Sequence, residues 1–388
     1  MEKKKLKEIV ENTISGEWGT EEKKDENDIF VIRTADFLND GRINYSNIIK
    51  RNIAKRKIEE KSLKIGDIIV EKSGGTDKNP VGRVVLFDKE NSKCLANNFT
   101  QVLRIKKEHY YKFVFYQLFY RYKSGSTLQM FNKTTGIQNL QMKLYLNQEL
   151  NVCDKKDQIK ISNLLDKVQE IIDFRKKQIQ ELDELIKSQF VEMFGDPIEN
   201  PKNYKIVKLS DIADYWNGLT YKPTDVNKKG TIVLRSSNIQ NSQLNYQDIV
   251  RVNCNIKEKQ YVKDNDILMC SRNGSARLVG KVAVIKDIKE KMTFGAFMMI
   301  IRSEYYPYLF SYFQTDAFRN QIKSGATTTI NQITGNMLNK IKLPLPDKYD
   351  INQFAEIVKL IDKQKFEIQK SLEETQKLHE SLMNKYFG

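Results

Sequence analysis

The chain has 388 residues, of which 40% are hydrophobic and 30% charged, and its formal net charge at pH 7 is +15. This amount of apolar material excludes wholesale disorder, and no apolar run reaches the roughly 18 residues that a membrane span needs. The first residues lack an apolar signal core and the four cysteines show no CxxC spacing, so we expect a cytoplasmic protein with reduced thiols and no zinc site.

The positive charge favours a polyanion such as nucleic acid as partner, although a Lys-rich solvated surface would give the same charge. The residues that an autonomous enzyme needs are scarce. Only His109 and His379 could serve a Ser-His-Asp or Cys-His site, and both lie in patterns typical of structural residues. The nearest approach to a phosphate-binding P-loop, residues 274–281, is one residue too long. There is no Asn/Asp-Pro-Pro-aromatic tetrapeptide of adenine methylases, so we predict no catalytic residues and no metal ligands.

The predicted elements of the first half recur in the second half. Short runs rich in Val, Ile, Phe and Tyr predict strands at residues 29–33, 67–70 and 83–87, and again at 231–235, 266–270 and 281–285. Helices are predicted at 111–122 and 308–322. Matching residues lie about 200 positions apart: Arg33 corresponds to Arg235, and Arg104 to Arg302. The chain is therefore predicted to contain two copies of one mixed α+β module.

Each module is followed by a long predicted helix with one apolar stripe. Steps of four and three from Ile161 fall on apolar residues at eight of ten positions up to Met193, and residues 195–197 (Gly-Asp-Pro) end this helix. The second helix, from Asp350 onward, has a noisier stripe that Gln364 and Thr375 interrupt.

We predict that the two helices form an antiparallel coiled coil, because a helix of about 60 Å with one apolar stripe needs a partner. The predicted interface consists of Leu165, Val168, Ile172, Ile179, Leu182, Ile186, Ile357, Ile361, Ile368, Leu372 and Leu382. The alternative is a pair of unrelated amphipathic helices, each lying on its own domain.

Two similar modules held apart by a rigid rod would act as a ruler. The target of such a protein presents two sites at a fixed separation, and duplex DNA, which repeats about every 34 Å, offers this. Together with the net positive charge, the duplicated architecture predicts binding to a split DNA site.

The loops after the predicted strands carry residue types that reach base edges and phosphates. Residues 33–36, 71–75 and 124–129 correspond to 235–238, 271–275 and 324–329. These loops keep their frame between the copies but change their polar residues, as two different half-sites would require. The candidate DNA-binding residues are Arg33, Thr34, Asp36, Lys72, Ser73, Thr127, Gln129, Arg235, Ser236, Asn238, Arg272, Asn273, Ser275, Arg277, Thr327 and Thr329. Any one of them could also be an ordinary turn residue.

The ordered set of these features resembles the specificity (S) subunits of type I restriction-modification enzymes over nearly the whole chain. The matching signatures are residues 209–212 (Leu-Ser-Asp-Ile) at the start of a module, Asp67 and Asp266 before a glycine loop, and residues 193–197 (Met-Phe-Gly-Asp-Pro) at the end of the first helix. The first module departs from the family where residues 144–146 lack the prolines of residues 343–346.

The resemblance implies a pseudo-two-fold dumbbell with recognition domains at residues 1–152 and 197–349, a spacer helix at 153–196 and a C-terminal helix at 350–388. It implies a non-catalytic subunit whose modules each read half of an asymmetric, interrupted site in double-stranded DNA. Two methyltransferase subunits, using S-adenosylmethionine, would dock on the outer helix faces. Phe174, Leu185 and Phe190 are candidate contributors, and the alternative for each is a solvated position or a place in the helix seam. Two restriction subunits, using ATP and magnesium, would complete the complex.

Two other functions remain open from the sequence alone. A coiled-coil scaffold with two basic modules could bind RNA or protein, and would then bind DNA weakly and without regard to its sequence. A self-sufficient DNA enzyme with an unfamiliar site would cleave or methylate DNA as the purified chain.

Overall fold

The computed structural model describes residues 2–90, 93–134, 136–324 and 332–388. Its residue contacts divide the chain into two compact units. Unit 1 comprises Met1–Lys176 and Lys370–Gly388, and unit 2 comprises Lys177–Gln369. Each unit therefore contains one of the two predicted modules, called module 1 (residues 1–152) and module 2 (residues 197–349), together with a part of each long helix.

Module 1 is built on two main sheets. The larger is antiparallel, with the strand order Val10–Ser15, Thr100–Ile105, Ile68–Glu71 and Val84–Leu86. The smaller has the order Ile49–Asn52, Asp28–Ile32 and Cys94–Ala96, the last pair being parallel. Glu2–Lys5 pairs with Glu149–Val152. A further sheet has the order Phe131–Thr134, Ile137–Leu140 and Ser73–Gly74.

Module 2 repeats this arrangement. Its larger antiparallel sheet has the order Asp214–Asn217, Met298–Arg302, Ile267–Cys270 and Val282–Val284. Its smaller sheet has the order Val250–Val252, Val226–Leu234 and Met292–Phe294, again with a parallel last pair. Lys205–Lys208 pairs with Lys342–Leu345, and Ile239–Gln240 with Gln243–Leu244. The shared topology of the main sheets confirms the duplicated α+β architecture that the sequence predicts.

The central strand of each larger sheet is apolar on both faces because both faces are covered. In Ile68–Glu71, Ile68 and Val70 pack into one hydrophobic cluster, while Ile69 packs into another. Alternate side chains of a strand point to opposite faces, so these consecutive apolar residues serve two cores. Ile267–Cys270 divides its side chains between two clusters in the same way.

The helices of the modules are short. The predicted helix at 111–122 is present as Tyr111–Lys123. The helical patch predicted at 308–322 is present as two helices, Tyr306–Tyr312 and Asp316–Ser324. Thr315 separates them, and its hydroxyl accepts a hydrogen bond from the Phe318 N–H at the start of the second helix. The remaining α-helices are Leu6–Ile9, Lys55–Lys61, Met142–Asn147 and Gly335–Leu338.

The two long helices are Lys155–Phe194, here called the spacer helix, and Lys348–Phe387, called the C-terminal helix. In unit 1 their segments run antiparallel. Near the start of the spacer helix, Ile161 and Leu165 share a cluster with Met383 and Phe387. Further along, the Arg175 guanidinium donates hydrogen bonds to the Ser371 carbonyl and the Thr375 hydroxyl. Residue numbers thus rise along one helix and fall along the other.

Unit 2 shows the same antiparallel packing of its own helix segments. Asp183 of the spacer helix forms an ion pair with Lys365 of the C-terminal helix. Closer to the module, Phe190 packs edge-on against Phe354 with ring centroids 5.8 Å apart. The pairing of the helices predicted from their stripes is therefore present within each unit.

The predicted interface residues differ in how deeply they are buried. Leu165, Val168, Ile172, Ile361 and Leu372 are buried. The other six predicted interface residues are half-buried: Ile179, Leu182, Ile186, Ile357, Ile368 and Leu382.

The stripe of the C-terminal helix lies one position away from the predicted one at several points. Its buried and half-buried residues follow steps of three and four: Ile351, Phe354, Val358, Ile361, Lys365, Ile368, Leu372, Thr375, His379 and Leu382. The prediction of an interruption at Thr375 is confirmed. The predicted interruption at Gln364 is wrong, because Gln364 is exposed and Lys365 occupies the buried position.

Candidate nucleic-acid interface

The first predicted loop of module 1 is closed by an ion pair. After the strand Asp28–Ile32, the loop turns through a 3₁₀ helix, Thr34–Asp36. The Asp36 carboxylate, 3% exposed, accepts hydrogen bonds from the Arg33 backbone N–H at 2.8 Å and from two guanidinium nitrogens of Arg33 at 2.8 and 3.1 Å. Asp36 raises the pKa of Arg33 further above its ordinary value. The guanidinium also donates to the Asn47 carbonyl, so module 1 fixes this arginine firmly.

The equivalent loop of module 2 has the same backbone turn but a different partner for its arginine. Asn238, 1% exposed, accepts a hydrogen bond from the Arg235 N–H at 2.9 Å and donates its amide to the Asn245 and Asp248 carbonyls. A neutral amide cannot form an ion pair, and the Arg235 guanidinium instead contacts the exposed carboxylate of Asp248 at 2.7 Å. Among the described residues, Arg235 is therefore paired only with a largely exposed carboxylate, that of Asp248.

The second pair of loops aligns differently from the prediction. In module 1 the Lys72 carbonyl accepts from Leu140 N–H, and in module 2 the Ser271 carbonyl accepts from Ile333 N–H. Ser73 then pairs with Asn139, and Arg272 with Gln332. The structural counterpart of Ser73 is thus Arg272, and that of Lys72 is Ser271. The sequence alignment, which paired Lys72 with Arg272, is wrong by one residue.

The structure brings the first and second loops of each module together by different side chains. In module 1, Arg83 forms an ion pair with the buried Glu71 at 2.7 Å and donates to the Thr34 carbonyl at 3.0 Å. In module 2, the Asn273 amide donates to the Ser236 hydroxyl at 3.2 Å. The first and second loops are therefore adjacent in each module, and in module 2 two predicted side chains, Ser236 and Asn273, are in contact.

The third predicted loop packs beside the second loop in module 1. Thr127 is buried against Gly82, which has φ of +97° and where an added Cβ would lie 3.3 Å from the Thr127 Cβ. Gln129 is exposed. The adjacent hairpin extends this surface, since Ile137–Leu140 pairs with Ser73–Gly74. Thr327 and Thr329, the predicted counterparts in module 2, lie outside the described residues.

Three predicted contact residues need correction. These residues, Asp36, Asn238 and Thr127, are almost fully buried. The side chains of Asp36 and Asn238 also form their hydrogen bonds within their own loops. No ligand could reach these side chains in this conformation. We therefore assign them to supporting the loops and not to contacting DNA. Of the interpretations left open for Phe190, the structure supports a place in the helix seam and not on the outer face, because Phe190 is buried against Tyr308 and Phe354.

The positively charged residues near the second loops differ in their exposure and in their side-chain partners. Among the residues that the structure describes, Arg272 and Arg277 have neither an ion pair nor a side-chain hydrogen bond, and both are exposed. Ser275 is half-buried and its N–H donates to Asn273. In module 1, Lys72 is half-buried, and burial followed by the charge of Lys61 lowers its pKa. Module 2 thus presents the more accessible positive charge.

Two features of the site escaped the sequence analysis. Phe99 and Phe297 stand at equivalent positions beside the second loops and are exposed. Their recurrence was visible in the sequence, but their exposure was not. The second feature is the ion pair between Arg104 and the buried Asp67, repeated as Arg302 with Asp266. Here the signal was the repetition of an Asp and an Arg at matching spacings in both copies.

No group of three or more His, Cys, Asp or Glu side chains within the described part of the chain is arranged to hold a metal ion. Likewise, no helix among those described residues has the length and apolar run needed to cross a bilayer.

Comparison with known proteins places the chain in a family. The family model described as the type I restriction modification DNA specificity domain matches residues 1–184 and again residues 201–384. The EcoKI specificity subunit of Escherichia coli (strain K12) is 28% identical over 155 residues, covering 38% of this chain and 33% of that protein. The MjaVIII specificity subunit of Methanocaldococcus jannaschii is 23% identical over 288 residues, covering 69% and 68%. The chain thus spans about a third of the length of the first relative.

Solved structures agree on the fold. The S subunit of a type I restriction-modification system from M. genitalium matches with a TM-score of 0.57 and 16% identity, over 100% of this chain and 96% of that one. A structure concerned with complex assembly and conformational transition of the type I R-M system matches with a TM-score of 0.56 and 15% identity, over 100% and 97%. The family model matches the chain twice, and the two matches together cover nearly all of its 388 residues. The chain therefore belongs to the type I restriction modification DNA specificity family.

Proposed function

We propose that the chain is the DNA-recognition subunit of a type I restriction-modification complex, with each module reading one half of a bipartite, asymmetric site in double-stranded DNA. One observation carries the proposal: two modules of the same topology gather their first and second loops on one surface but present different side chains there. A common scaffold with different polar residues is what two unlike half-sites require. The complex would act on the chromosome, in the cytoplasm.

The charge of these surfaces fits duplex DNA. Module 2 exposes Arg272 and Arg277 with no anionic partner among the described side chains. Module 1 has Lys72 at its second loop, while the charge of Arg33 is paired with Asp36. Arginine is the residue that most often reads a guanine in the major groove, and lysine or arginine also neutralises phosphates. The chain itself would carry no catalysis.

The long helices offer a surface for protein partners. On the spacer helix in unit 1, Leu164, Ile171 and Phe174 are exposed, Phe174 by 60%, and their spacings of seven and three place them on one helix face. Leu185 is exposed on the same helix in unit 2. We propose that two methyltransferase subunits, which use S-adenosylmethionine, dock on such faces, and that two restriction subunits, which use ATP and magnesium, join them.

The direct test of DNA recognition selects ligands for the full chain from a randomised duplex library and sequences the bound DNA. We expect a motif of two specified halves separated by an unspecified gap of constant length. A scaffold that binds RNA or protein would instead give no motif, and its weak DNA binding would collapse with added salt. Methylation or cleavage by the chain alone would refute the non-catalytic assignment.

Two variants sharpen this test. Inserting one helical turn of four residues, about 6 Å, into both long helices should change the preferred gap, whereas an unchanged gap would show that the helices do not set it. Phe174→Ser should weaken co-purification with the methyltransferase subunit and leave the selected motif unchanged. Loss of the motif would place Phe174 in module folding and not in docking.

A further inference from the structure

Each module exposes one phenylalanine at the start of an inner strand of its larger sheet, beside the second loop. Phe99 is 44% exposed and directly precedes the strand Thr100–Ile105, whose first residue is fully buried. Phe297 is 59% exposed and directly precedes Met298–Arg302. A single exposed apolar residue needs no explanation, but here the same residue is exposed at the same place in both copies. Packing within the module does not account for either ring.

The backbone of each phenylalanine is tied to the second loop. The Phe99 carbonyl accepts hydrogen bonds from Lys72 N–H at 2.9 Å and Ser73 N–H at 3.1 Å. The Phe297 carbonyl accepts from Ser271 N–H at 3.0 Å and Arg272 N–H at 3.1 Å. Two hydrogen bonds to one carbonyl fix the backbone from which the ring projects relative to the loop. Both rings therefore belong to the loop surface of their module.

The two rings differ in what covers them. The Arg272 guanidinium lies over the Phe297 ring, 5.3 Å from its centroid, and has no hydrogen bond or ion pair among the residues that the structure describes. A guanidinium that stacks on a ring keeps its in-plane N–H groups free for a ligand. In module 1 the residue equivalent to Arg272 is Ser73, whose hydroxyl donates to Asn139, and within the described residues no cation lies over Phe99.

We propose that these phenylalanines determine the base read at the second loop of each module. This inference rests on the proposed DNA recognition. Phe297 is a positioning residue that presents the N–H edge of Arg272 to the O6 and N7 acceptors of a guanine. Phe99, with an uncovered ring, contacts the C5-methyl group of a thymine, the apolar group that the major groove offers. The half-site of module 2 therefore requires a guanine at this position, and that of module 1 a thymine.

The test combines protein variants with single-atom changes in DNA. It uses the full chain, and its wild-type motif is first obtained by selection from random duplexes. Replacing the critical guanine by 7-deazaguanine removes N7, and replacing the critical thymine by uracil removes the methyl group. We expect 7-deazaguanine to weaken wild-type binding about five- to hundredfold, and to have little effect on Arg272→Ala or Phe297→Ala. Uracil should weaken the wild type and have little effect on Phe99→Ala.

Conservative and distant variants separate positioning from structure. Phe297→Tyr keeps the ring and should keep the guanine preference, while Phe297→Leu keeps an apolar side chain without a ring face and should lose it. Phe366→Ala removes a phenylalanine that is 67% exposed on the C-terminal helix and should leave both preferences unchanged. Thermal unfolding of each variant checks that the exposed ring does not hold the module together.

The outcomes distinguish this inference from the function it rests on. A wild-type chain that selects no two-part motif overturns the proposed function and this inference with it. A motif in which Phe297→Ala and Arg272→Ala relax different positions, or reduce binding to all DNA equally, overturns this inference alone. So does a Phe297→Leu variant that keeps the guanine preference.

Discussion

In module 1 the arginine of the first loop is bound by a buried carboxylate, whereas its counterpart in module 2 reaches outward to an exposed one. The difference follows from one residue: Asp36 in module 1 is Asn238 in module 2. Both side chains accept the arginine backbone N–H, at 2.8 and 2.9 Å, and so both stabilise the same turn. Only Asp36 can also hold the guanidinium. The difference between a carboxylate and an amide at this position thus preserves the fold of the loop but changes whether the residue neutralises the arginine beside it.

A second contrast lies in the next loop, where module 1 has the Arg83–Glu71 ion pair, while Arg272 and Arg277 of module 2 have no ion pair among the described residues. Module 1 thus ties its first and second loops together through an ion-paired arginine, and these two arginines of module 2 are exposed. What the modules share is deeper in the structure, namely the pairs Arg104–Asp67 and Arg302–Asp266. The two modules therefore share these buried ion pairs and differ in their exposed charged side chains.

The largest expected effect comes from breaking the shared pairs. Asp67 and Asp266 are each 1% exposed, and each also accepts a backbone N–H, from Lys64 and Lys263 respectively. Asp67→Ala and Asp266→Ala should each destabilise their own unit by about 3 kcal/mol, because an arginine is left without its partner.

The two tryptophans allow each module to be followed separately, since Trp18 lies in module 1 and Trp216 in module 2. In a Trp216→Phe background, denaturant unfolding reports unit 1, and in a Trp18→Phe background it reports unit 2. Asp67→Asn, which keeps an acceptor for the Lys64 N–H, should cost less than Asp67→Ala. Equal losses in both units from one substitution would contradict the independence of the two scaffolds.

The helix segments differ between the units in a comparable way, and the expected effect is somewhat smaller. In unit 2, Lys365 is buried to 6% exposure and pairs with Asp183, while in unit 1 Arg175 binds neutral partners, the Ser371 carbonyl and the Thr375 hydroxyl. Asp183→Ala should destabilise unit 2 by about 2 kcal/mol because it leaves a buried ammonium group unpaired. Thr375→Ala should cost unit 1 about 1 kcal/mol.

The control for this pair replaces both charges. The double variant Lys365→Met with Asp183→Leu should recover most of the stability, since a buried ion pair contributes little over apolar residues of similar volume. Urea unfolding followed by the tryptophan of each unit measures both changes. If the double variant were as unstable as Asp183→Ala, the loss would come from packing and not from charge.

An exchange of the first-loop residues tests the opening comparison, with effects of about 1 to 2 kcal/mol. Asp36→Asn removes the partner of the Arg33 guanidinium but keeps an acceptor for its N–H. In the wild type, the Asn238 amide donates hydrogen bonds to the Asn245 and Asp248 carbonyls. Asn238→Asp replaces this donor with a carboxylate that repels both carbonyl oxygens. We expect Asn238→Asp to destabilise its unit more than Asp36→Asn does. The denaturant midpoint of each unit, read by Trp216 for Asn238→Asp and by Trp18 for Asp36→Asn, measures the two losses. A larger loss from Asp36→Asn would show that the Arg33–Asp36 ion pair contributes most to the stability of the turn.

Much of the architecture followed from patterns that repeat along the chain. The duplication, the alternating strands and the two long helices depend on periodicity, which many residues report together. The register of the second loop was misread because one residue decides it: Lys72 and Arg272 are both basic and look equivalent, while the backbone hydrogen bonds pair Arg272 with Ser73.

The parts of the site that the sequence could not supply are partnerships between distant residues. Arg33 was correctly placed in a loop, but whether its guanidinium faces a ligand or Asp36 depends on the folded turn. The same holds for Thr127, whose burial depends on Gly82, 45 residues earlier in the chain. The stripe of the C-terminal helix was displaced near its middle because Lys365 occupies a buried position that hydropathy alone assigns to solvent.

The smallest expected effect concerns His379, a half-buried stripe residue of the C-terminal helix in unit 1. Burial lowers its pKa from the ordinary value of 6.5, against a smaller opposite effect of the Glu380 charge. The unfolded chain therefore binds a proton at higher pH than the folded chain does. The stability that the neutral ring contributes is present above about pH 6.5 and is lost as the pH falls toward the lowered pKa. Unit 1 should thus lose stability on acidification through this residue, and unit 2 has no histidine to match it.

His379→Leu isolates this contribution, because the leucine cannot be protonated and the stripe position accepts an apolar side chain. The free energy of unfolding of unit 1, read by Trp18 at pH 7.5 and pH 5.5, should fall less in the variant than in the wild type. Carboxylates titrate in both proteins and cancel in the difference. His109, whose pKa burial also lowers, remains in both proteins and leaves a residual acid sensitivity in the variant. An identical fall in the two proteins would show that His379 is already hydrated in the folded helix pair, and the acid response of unit 1 would then rest on His109 and the carboxylates.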